Sequence, residues 1–300
     1  MASKKVAAYC MTRNLYDIAV VSIKSLLVNS DVDTIYLLIE DDKYPYDLPK
    51  IKVINVSDQK FFDPDGPNYK SQWSYMTLMR LALFKILKVN KVLSLDIDTI
   101  VDGDINHLWD IPMDDYYVMG GREPFKSKEH LYINSGVVMQ NLKKLRDGTG
   151  DKLIEIANST YYMFPDQDIL NVVCQDHILE FEPKYNSHPW NDDPALKDHW
   201  VIKHFATIKN WSNHPLYDKY DKITEIKGEK VMARAKVKKP TKFVETRGSF
   251  VKVYKEPSLT SEVVRSNGYG VRLEFDETYI SDTWVKVKDG YVMRLFVKEV

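Results

Sequence analysis

The sequence is poor in cysteine and has no long uninterrupted apolar run. Its two cysteines, Cys10 and Cys174, lie in apolar contexts without metal-ligand spacing, which predicts two buried thiols in a reducing compartment. No segment approaches the roughly 18 consecutive apolar residues that a spanning helix needs. The first 17 residues contain lysines but no apolar core of a secretory signal. We therefore expect a soluble, cytoplasmic protein without a transmembrane segment.

Neither sign of charge dominates the chain as a whole. Its 42 basic and 43 acidic residues give a net charge of −1, and 44% of the residues are hydrophobic. These globular values exclude wholesale disorder, collagen and coiled coils. The balance is uneven, however, because residues 222–300 carry +6 and residues 1–221 carry −7. An acidic body suits a metal or neutral substrates and a basic appendage suits an anionic partner, unless the excess is only a solvated surface.

Strand and helix patterns alternate through the first part of the chain. Helical spacing predicts helices over residues 15–26, 73–87 and 167–174. The other segments of this strand–helix alternation are short apolar runs. They cover residues 6–10, 34–40, 51–56, 92–95, 116–120, 131–141 and 200–206, and the last of them is predicted to be the final strand. Such alternation predicts an α/β fold with a mostly parallel sheet and helices on both faces.

The composition changes after residue 226. Residues 227–242 are basic, lack aromatics and contain Pro240, which is typical of a linker. Beyond them, short runs of β formers are separated by turns and predict a small all-β barrel. We therefore divide the chain into a first domain at 1–226, a linker at 227–242 and a barrel at 243–300. The predicted barrel core contains Val253, Leu273, Trp284 and Val292.

Five Asp-x-Asp pairs occur, but only Asp96/Asp98 directly follows an apolar strand, Lys91–Leu95. In an open α/β sheet, ligands bind at the carboxyl ends of the strands. Strand alternation puts the two carboxylates on one side, with Ile97 turned towards the core. Such a pair suits a divalent cation that holds a diphosphate, although a capped strand end with solvated acids is the alternative.

The segment KVLSLDIDTIVDGDINHLW resembles the metal-binding segment of family 8 glycosyltransferases, GT-A enzymes that include glycogenin and lipopolysaccharide galactosyltransferases. The resemblance covers about residues 4–215 in ordered blocks, which also include VAAYCMTRNLY, YMTLMRLALFKIL, YINSGVVMQNLKKLR, PDQDILN and HFATIKNW. The C-terminal WVKVKDGYVMRLFV resembles the closing strands of bacterial SH3-like domains. Together these resemblances imply a GT-A, Rossmann-like first domain followed by an SH3-like barrel.

The resemblance also implies a ligand set. In the family, the Asp-x-Asp aspartates and a late histidine hold Mn²⁺ on the diphosphate of a UDP-sugar, and Asp96, Asp98 and His204 match them. Imidazole beside carboxylates favours Mn²⁺, with Mg²⁺ as the alternative. The implied donor-binding residues are Thr12, Arg13, Tyr16, Arg80, Asp96, Ile97, Asp98 and Lys209. Tyr16 could stack on uracil, or it could be a core aromatic.

For the sugar, Asn134-Ser135-Gly136 and Asp166-Gln167 match two family motifs. The resemblance implies catalytic roles for Gln167, Asp166 and Asn134, with Gln167 near the anomeric carbon. Asp166 could also be the N-cap of the helix that follows it. No second carboxylate is evident as a covalent nucleophile. The resemblance implies retention, with the acceptor attacking from the leaving-group face.

One motif departs from the family. Residues 204–211 are one residue shorter than the family's terminal motif, lack its glycine and have Asn210 in place of proline. The favoured hypothesis remains a retaining, Mn²⁺-dependent transferase that moves glucose or galactose from a UDP-sugar to a saccharide, protein or modified polymer. Nucleic acid is compatible as an acceptor, but the barrel lacks a dense Lys/Arg patch.

Two alternatives belong to other classes. A metal-dependent nucleotidyltransferase would have a glycine-rich loop after the first strand, and residues 10–14 contain no glycine. A non-catalytic saccharide or polymer binder would work through the C-terminal barrel, and the shortened motif at 204–211 is what favours it.

Overall fold

The computed structural model describes residues 4–71, 73–124, 126, 130–189, 199–208, 211–233, 243–275 and 281–299. The chain divides into two compact units, Met1–Arg234 and Ala235–Val300. Among the described residues, each hydrophobic core cluster is drawn from one unit alone. No helix within those ranges is long and apolar enough to cross a membrane.

The first unit is built from short strands and helices that alternate along the chain. Its strands are β1 (Val6–Cys10), β2 (Thr34–Ile39), β3 (Tyr46–Asp47), β4 (Ile51–Asn55), β5 (Lys91–Leu95), β6 (Thr99–Val101), β7 (Val118–Arg122), β8 (Ile133–Asn141), β9 (Ile178–Glu180), β10 (Ile202–His204), β11 (Glu225–Ile226), β12 (Glu229–Lys230) and β13 (Met232–Ala233). Its α-helices are α1 (Tyr16–Asn29), α2 (Leu83–Ile86), α3 (Leu142–Leu145), α4 (Thr149–Ser159), α5 (Pro165–Cys174) and α6 (Pro215–Asp221). Its 3₁₀ segments are Arg13–Leu15, Tyr75–Ala82, Asn106–Trp109, Gln175–His177, Pro183–Asn186 and Trp211–Asn213.

A seven-stranded sheet, in the order β4-β2-β1-β5-β8-β7-β9, forms the centre of this unit. The strands from β4 to β5 pair in parallel, β8 is antiparallel to both of its neighbours, and β7 is parallel to β9. This arrangement confirms the predicted mixed α/β fold with a mostly parallel sheet. It also means that β5 and β7 run in the same direction, so their carboxyl ends meet at one edge.

Side chains of the sheet alternate between two cores. Ala7 and Tyr9 of β1 pack in one cluster with α1, whereas Val6 and Ala8 pack in a second cluster with the Tyr75–Ala82 segment, α4 and α5. Helical segments therefore cover both faces, as the period-2 alternation of buried strands requires. In the same unit Cys174 is buried and Cys10 is only half-buried, and burial raises the pKa of each thiol to about 12.

Two predicted elements differ from the structure in type or in pairing. The segment predicted as one helix at 73–87 is a 3₁₀ helix over Tyr75–Ala82 that continues as α2. Three residues per turn place Thr77 and Arg80 on one face of the segment. The predicted final strand at 200–206 is shorter, and as β10 it pairs antiparallel with β6 instead of joining the central sheet. That pairing brings His204 opposite Thr99, beside the Asp-x-Asp turn.

The beginning of the predicted linker belongs to the first unit, because β13 pairs antiparallel with β3. Residues 234–242 lie outside the described residues. The second unit contains β14 (Phe243–Thr246), β15 (Val251–Tyr254), β16 (Val263–Asn267), β17 (Arg272–Glu274), β18 (Trp284–Val287), β19 (Gly290–Met293) and β20 (Val297–Glu299), with a 3₁₀ turn at Arg294–Phe296.

Antiparallel pairing organises the second unit into a three-stranded sheet, β17-β14-β20, and a four-stranded sheet, β16-β15-β19-β18. Val253, Leu273 and Val292 are buried in its core cluster, and Trp284 is buried with its ring edge-on to Tyr254. The unit is all-β in its described part. An SH3-like arrangement of these strands stays a prediction.

Candidate active site

Two aspartates and a histidine converge at the carboxyl end of β5. Asp96 and Asp98 follow that strand, and His204 ends β10. The Nε2 atom of His204 lies 3.7 Å from Asp96 Oδ2 and 3.5 Å from Asp98 Oδ1. All three residues offer ligand atoms within 4.8 Å of one another. Two carboxylates and one imidazole at this spacing could bind a divalent cation.

Backbone contacts bring these side chains together. The N–H of Asp96 donates to the carbonyl of Gly136 at 2.8 Å, and the N–H of Phe205 donates to the carbonyl of Asp98 at 2.8 Å. The ring of His204 lies directly against Gly136, where an added Cβ would come within 2.0 Å of His204 Cε1. Only glycine fits at this position, because real Cβ atoms do not approach so closely.

The local charges suit a cation. Burial favours the neutral imidazole, but the carboxylates of Asp98 and Asp96 raise the pKa of His204 above its ordinary value. Burial likewise opposes ionisation of Asp98, yet the neighbouring His204 lowers the pKa of that carboxyl. In both cases the attraction to the opposite charge outweighs the desolvation cost of burial. This cluster therefore favours a positive charge between its carboxylates.

Arg80 joins this group to a second one. Its buried guanidinium bonds to the Asp96 carboxylate and to the Ser135 carbonyl, and its Nε lies 3.1 Å from Asp166 Oδ2. Burial raises the pKa of Asp166 despite the attraction of Arg80, while the nearby Asp96 charge raises it further. Arg80 therefore compensates two carboxylates from different elements.

The second group combines amides with a carboxylate at the ends of β8 and α5. The Oε1 atom of Gln167 accepts from the Ser135 N–H at 3.0 Å. The Nδ2 of Asn134 donates to Glu123 Oε2 at 3.1 Å. Asp166 is not the predicted N-cap, because α5 begins at Pro165 and places Asp166 inside the first turn, facing Arg80.

Both groups face one cavity of about 420 Å³. Its lining consists of Trp73, Thr77, Arg80, Asp96, Asp98, Glu123, Lys126, Asn134, Ser135, Gly136, Phe164, Asp166, Gln167, His204, Ala206 and Thr207. The volume is in the ordinary range for small-ligand pockets. The cavity thus places a cation-binding cluster and hydroxyl-binding groups around a single ligand space.

The predicted nucleoside residues lie elsewhere. Arg13 pairs with Asp41, and the Tyr16 hydroxyl donates to the same carboxylate at 2.9 Å. Tyr16 is 5% exposed and its ring packs edge-on against Tyr44, as a core aromatic does. Its stacking on uracil stays a prediction. Thr12 donates to Asn14 at 2.6 Å. None of the predicted first-turn residues lines the cavity.

Of the remaining donor-binding predictions, Ile97 packs against the first core cluster, as expected from alternation. Lys209 lies outside the described residues. Arg80, Asp96 and Asp98 all line the cavity.

Glu123 is a cavity residue that was not predicted from the sequence, although its position carries a signal. Glu123 directly follows β7, just as Asp96 directly follows β5, and the two strands run in the same direction. The predicted strand ended at residue 120, so Glu123 was not recognised as the residue that follows this strand. Burial raises the pKa of Glu123, whose side chain lies on the cavity wall.

Residues 6–214 match the family model described as Glycosyl transferase family 8. The chain belongs to glycosyl transferase family 8. Every residue that lines the cavity lies within this family 8 domain.

Relatives are similar over parts of the family 8 domain. Glycosyltransferase GlyB of Streptococcus pneumoniae serotype 4 (strain TIGR4) is 24% identical over 209 residues, which are 63% of this chain and 50% of GlyB. The lipopolysaccharide 1,2-glucosyltransferase of Escherichia coli K12 is 33% identical over 132 residues, which are 38% and 39% of the two chains. The chain thus spans half or less of the length of these curated relatives.

A solved structure has a similar fold. The crystal structure of glycosyltransferase GlyE from Streptococcus pneumoniae TIGR4 aligns with a TM-score of 0.55 at 22% identity and covers 74% of this chain and 61% of that one. At this identity the likeness supports the shared fold alone.

Proposed function

We propose that the family 8 domain transfers glucose or galactose from a UDP-sugar to a saccharide acceptor, with retention of configuration and with Mn²⁺ as its cofactor. One observation carries the proposal: the Asp96–Asp98–His204 cluster and the Asn134–Asp166–Gln167 group face the same cavity. A sugar diphosphate needs both a cation-binding cluster for its phosphates and polar groups for its hydroxyls.

Asp96, Asp98 and His204 would hold the cation, which when bound would neutralise negative charge on the departing diphosphate. Their mixed oxygen and nitrogen donors fit Mn²⁺ better than Mg²⁺, which prefers oxygen ligands. Arg80 adds a fixed positive charge between the two groups. A preorganised cation in a water-poor site stabilises developing negative charge without reorganisation.

The sugar would lie against the second group. Asp166 accepts hydrogen bonds, whereas the amides of Asn134 and Gln167 can both donate and accept. Together they can therefore bind sugar hydroxyls that donate and sugar hydroxyls that accept. Glu123 adds a second carboxylate on the same wall. Attack by the acceptor from the leaving-group face would need no covalent intermediate, whereas attack by Glu123 would form one.

An aromatic wall supports a saccharide acceptor. Trp73 is 37% exposed, its ring centroid is 6.1 Å from that of Phe164, and both line the cavity. Lys126 places its ammonium 4.7 Å from the Phe164 ring centroid. Aromatic faces with a few polar neighbours are typical of small-ligand sites and fit the apolar face of a sugar ring.

The test uses water in place of the acceptor. The full chain is incubated with UDP-glucose, UDP-galactose or GDP-mannose, with Mn²⁺ or with EDTA, and release of nucleoside diphosphate is measured. We expect hydrolysis of a UDP-sugar only with the cation, and proton NMR of the first product formed should show the α-anomer. Hydrolysis that is unchanged by EDTA would contradict the metal assignment, and a β-anomer would contradict retention.

Matched variants identify the residues. Asp98→Ala or His204→Ala should lower turnover by about 100-fold or more, because a bound cation contributes several kcal/mol of charge stabilisation. Asp65→Ala removes an exposed carboxylate from another Asp-x-Asp pair and should leave the rate unchanged.

Calorimetry with UDP and with GDP, each with Mn²⁺, tests the predicted preference for uridine, and equal affinities for the two nucleotides would contradict it.

A further inference from the structure

A chain of hydrogen bonds connects His204 to the sugar-facing wall through Asn186. Asn186 ends the 3₁₀ segment Pro183–Asn186, and its side chain is fully buried. Its Oδ1 lies 3.0 Å from His204 Nδ1, and its Nδ2 donates to Asn134 Oδ1 at 3.0 Å. The other ring nitrogen of His204 faces Asp96 and Asp98.

A backbone group sets the polarity of this chain. The N–H of Gly136, which can only donate, bonds to Asn134 Oδ1 at 2.9 Å. The atom of Asn134 that faces Asn186 is therefore an acceptor, so Asn186 must turn its NH₂ towards it. Its carbonyl oxygen then faces His204, and Nδ1 of the ring must carry a hydrogen. This orientation follows without any assumption about the histidine.

We propose that Asn186 is a positioning residue that holds His204 with its Nε2 directed at the cation site. The inference rests on the metal assignment in the proposed function. A histidine that binds a metal through one nitrogen typically donates from the other to a fixed acceptor, which sets its tautomer and ring orientation. Because Asn186 also bonds to Asn134, it links the cation cluster to the sugar-facing amide.

The closing experiment measures Mn²⁺ binding itself. The probe is Mn²⁺, titrated by calorimetry into the 300-residue chain with saturating UDP, and thermal unfolding is recorded without metal. Asn186→Ala removes the acceptor and should weaken Mn²⁺ binding about 10–100-fold, the usual effect of losing such a partner. Asn186→Asp keeps an acceptor towards His204 but replaces the NH₂ that faces Asn134 Oδ1 with an oxygen, so it should recover only part of that affinity.

Asn171→Ala is the matched control. Asn171 is a buried asparagine that bonds to the backbone of Ile133 and Gln167, so its loss should lower thermal stability while leaving Mn²⁺ affinity within about twofold. Wild-type Mn²⁺ affinity in Asn186→Ala would overturn the inference, and an equal loss in both Asn186 variants would contradict an acceptor role. If the wild-type protein binds no Mn²⁺, the metal assignment in the proposed function fails first, and the inference falls with it.

A second measurement does not depend on the variants folding. Long-range ¹H–¹⁵N NMR of the ¹⁵N-histidine-labelled wild-type protein, with UDP and the diamagnetic probe Cd²⁺, reports which nitrogen of His204 carries the hydrogen. We expect a protonated Nδ1 and a metal-bound Nε2. A hydrogen on Nε2 would overturn the proposal.

Discussion

Gly136 controls the position of His204 in three ways. Its N–H orients Asn134, its carbonyl accepts from Asp96, and its missing side chain leaves room for the imidazole. Gly136→Ala should displace the ring and lower cation-dependent hydrolysis of UDP-sugar by about 100-fold, since a shift of about 1 Å in a catalytic group costs that much. The rate of UDP release measures the effect.

Gly120→Ala provides the control on the neighbouring strand. There the added Cβ would meet Ile133 Cδ1 at 2.7 Å and Ile133 Cβ at 3.1 Å, so the side chain must rotate and Ile133 must also shift by a few tenths of an ångström. We expect lower thermal stability with hydrolysis largely kept. A wild-type hydrolysis rate in Gly136→Ala would show that catalysis does not depend on the position of the His204 ring against Gly136.

Arg80 is the charge that makes burial of Asp166 tolerable. Arg80→Met would leave Asp166 and Asp96 without their cationic partner, and breaking a buried pair from one side costs about 3–5 kcal/mol. Urea unfolding measures this cost. Adding Asp166→Asn should recover part of the loss, because the double variant no longer buries that carboxylate unpaired.

The Arg13–Asp41 pair is the exposed counterpart, with the Arg13 side chain 47% accessible. Arg13→Met should therefore change the free energy of unfolding by at most about 1 kcal/mol. Similar costs for Arg80→Met and Arg13→Met would contradict the view that burial makes the Arg80 pairs decisive.

The antiparallel pair formed by β6 and β10 carries His204 back to the Asp-x-Asp turn. Phe205 follows His204 directly, is fully buried, and stacks on Trp211 with ring centroids 5.2 Å apart. Phe205→Ala should destabilise the first unit by about 3–5 kcal/mol, the usual cost of deleting a buried aromatic ring. Thermal or urea unfolding checks this value.

Ile208→Ala is the control in the same segment. Ile208 is 41% exposed, so its truncation should change stability by no more than about 0.5 kcal/mol. A small effect of Phe205→Ala would mean that β10 is held by its backbone bonds alone, such as the bond from the His204 N–H to the Ser187 carbonyl at 2.7 Å.

The regular elements could be predicted from the sequence wherever period and burial agree. Strands β1, β2, β4 and β5 lie within one residue of their predicted bounds. Strands β1 and β2 are mostly buried apolar runs, as is typical of buried parallel strands, whereas β4 is a less buried edge strand. The segment at 73–87 has helical spacing, but periodicity did not distinguish a 3₁₀ turn from an α-helical one. The partner of β10 depends on tertiary pairing, which local pattern does not encode.

The site was predictable to the extent that strand ends mark it. Asp96 and Asp98 follow from their place after β5, and Glu123 obeys the same rule once β7 is extended to Arg122. Asn186 comes from a short 3₁₀ segment with no periodic signal. The burial of Tyr16 depends on Tyr44, which lies 28 residues later and packs on it only in the folded chain.

The two units differ in composition as well as in fold. The basic excess lies at residues 222–242, which contain 8 Lys/Arg and 2 Asp/Glu, whereas residues 243–300 contain 9 residues of each sign. The cavity and its acidic cluster lie wholly in the first unit. The basic segment that precedes the β-rich residues in the chain suits an anionic acceptor or an assembly partner, and we assign neither part a role in binding the donor. If the chain were instead a saccharide or polymer binder, the second unit would retain all the binding when isolated.

A chain that ends after residue 236 should fold and still hydrolyse UDP-sugar slowly with Mn²⁺. Its core clusters draw only on first-unit residues, and every cavity-lining residue precedes residue 208. Independent cores are what allow domains to fold separately. Thermal unfolding and UDP release are compared between the truncated and the 300-residue chains, with Asp98→Ala in the truncated chain as the inactive control. Loss of folding, or of donor hydrolysis, would place residues 237–300 within the catalytic unit. Retained hydrolysis with lost transfer to an acceptor would instead assign the second unit to the acceptor.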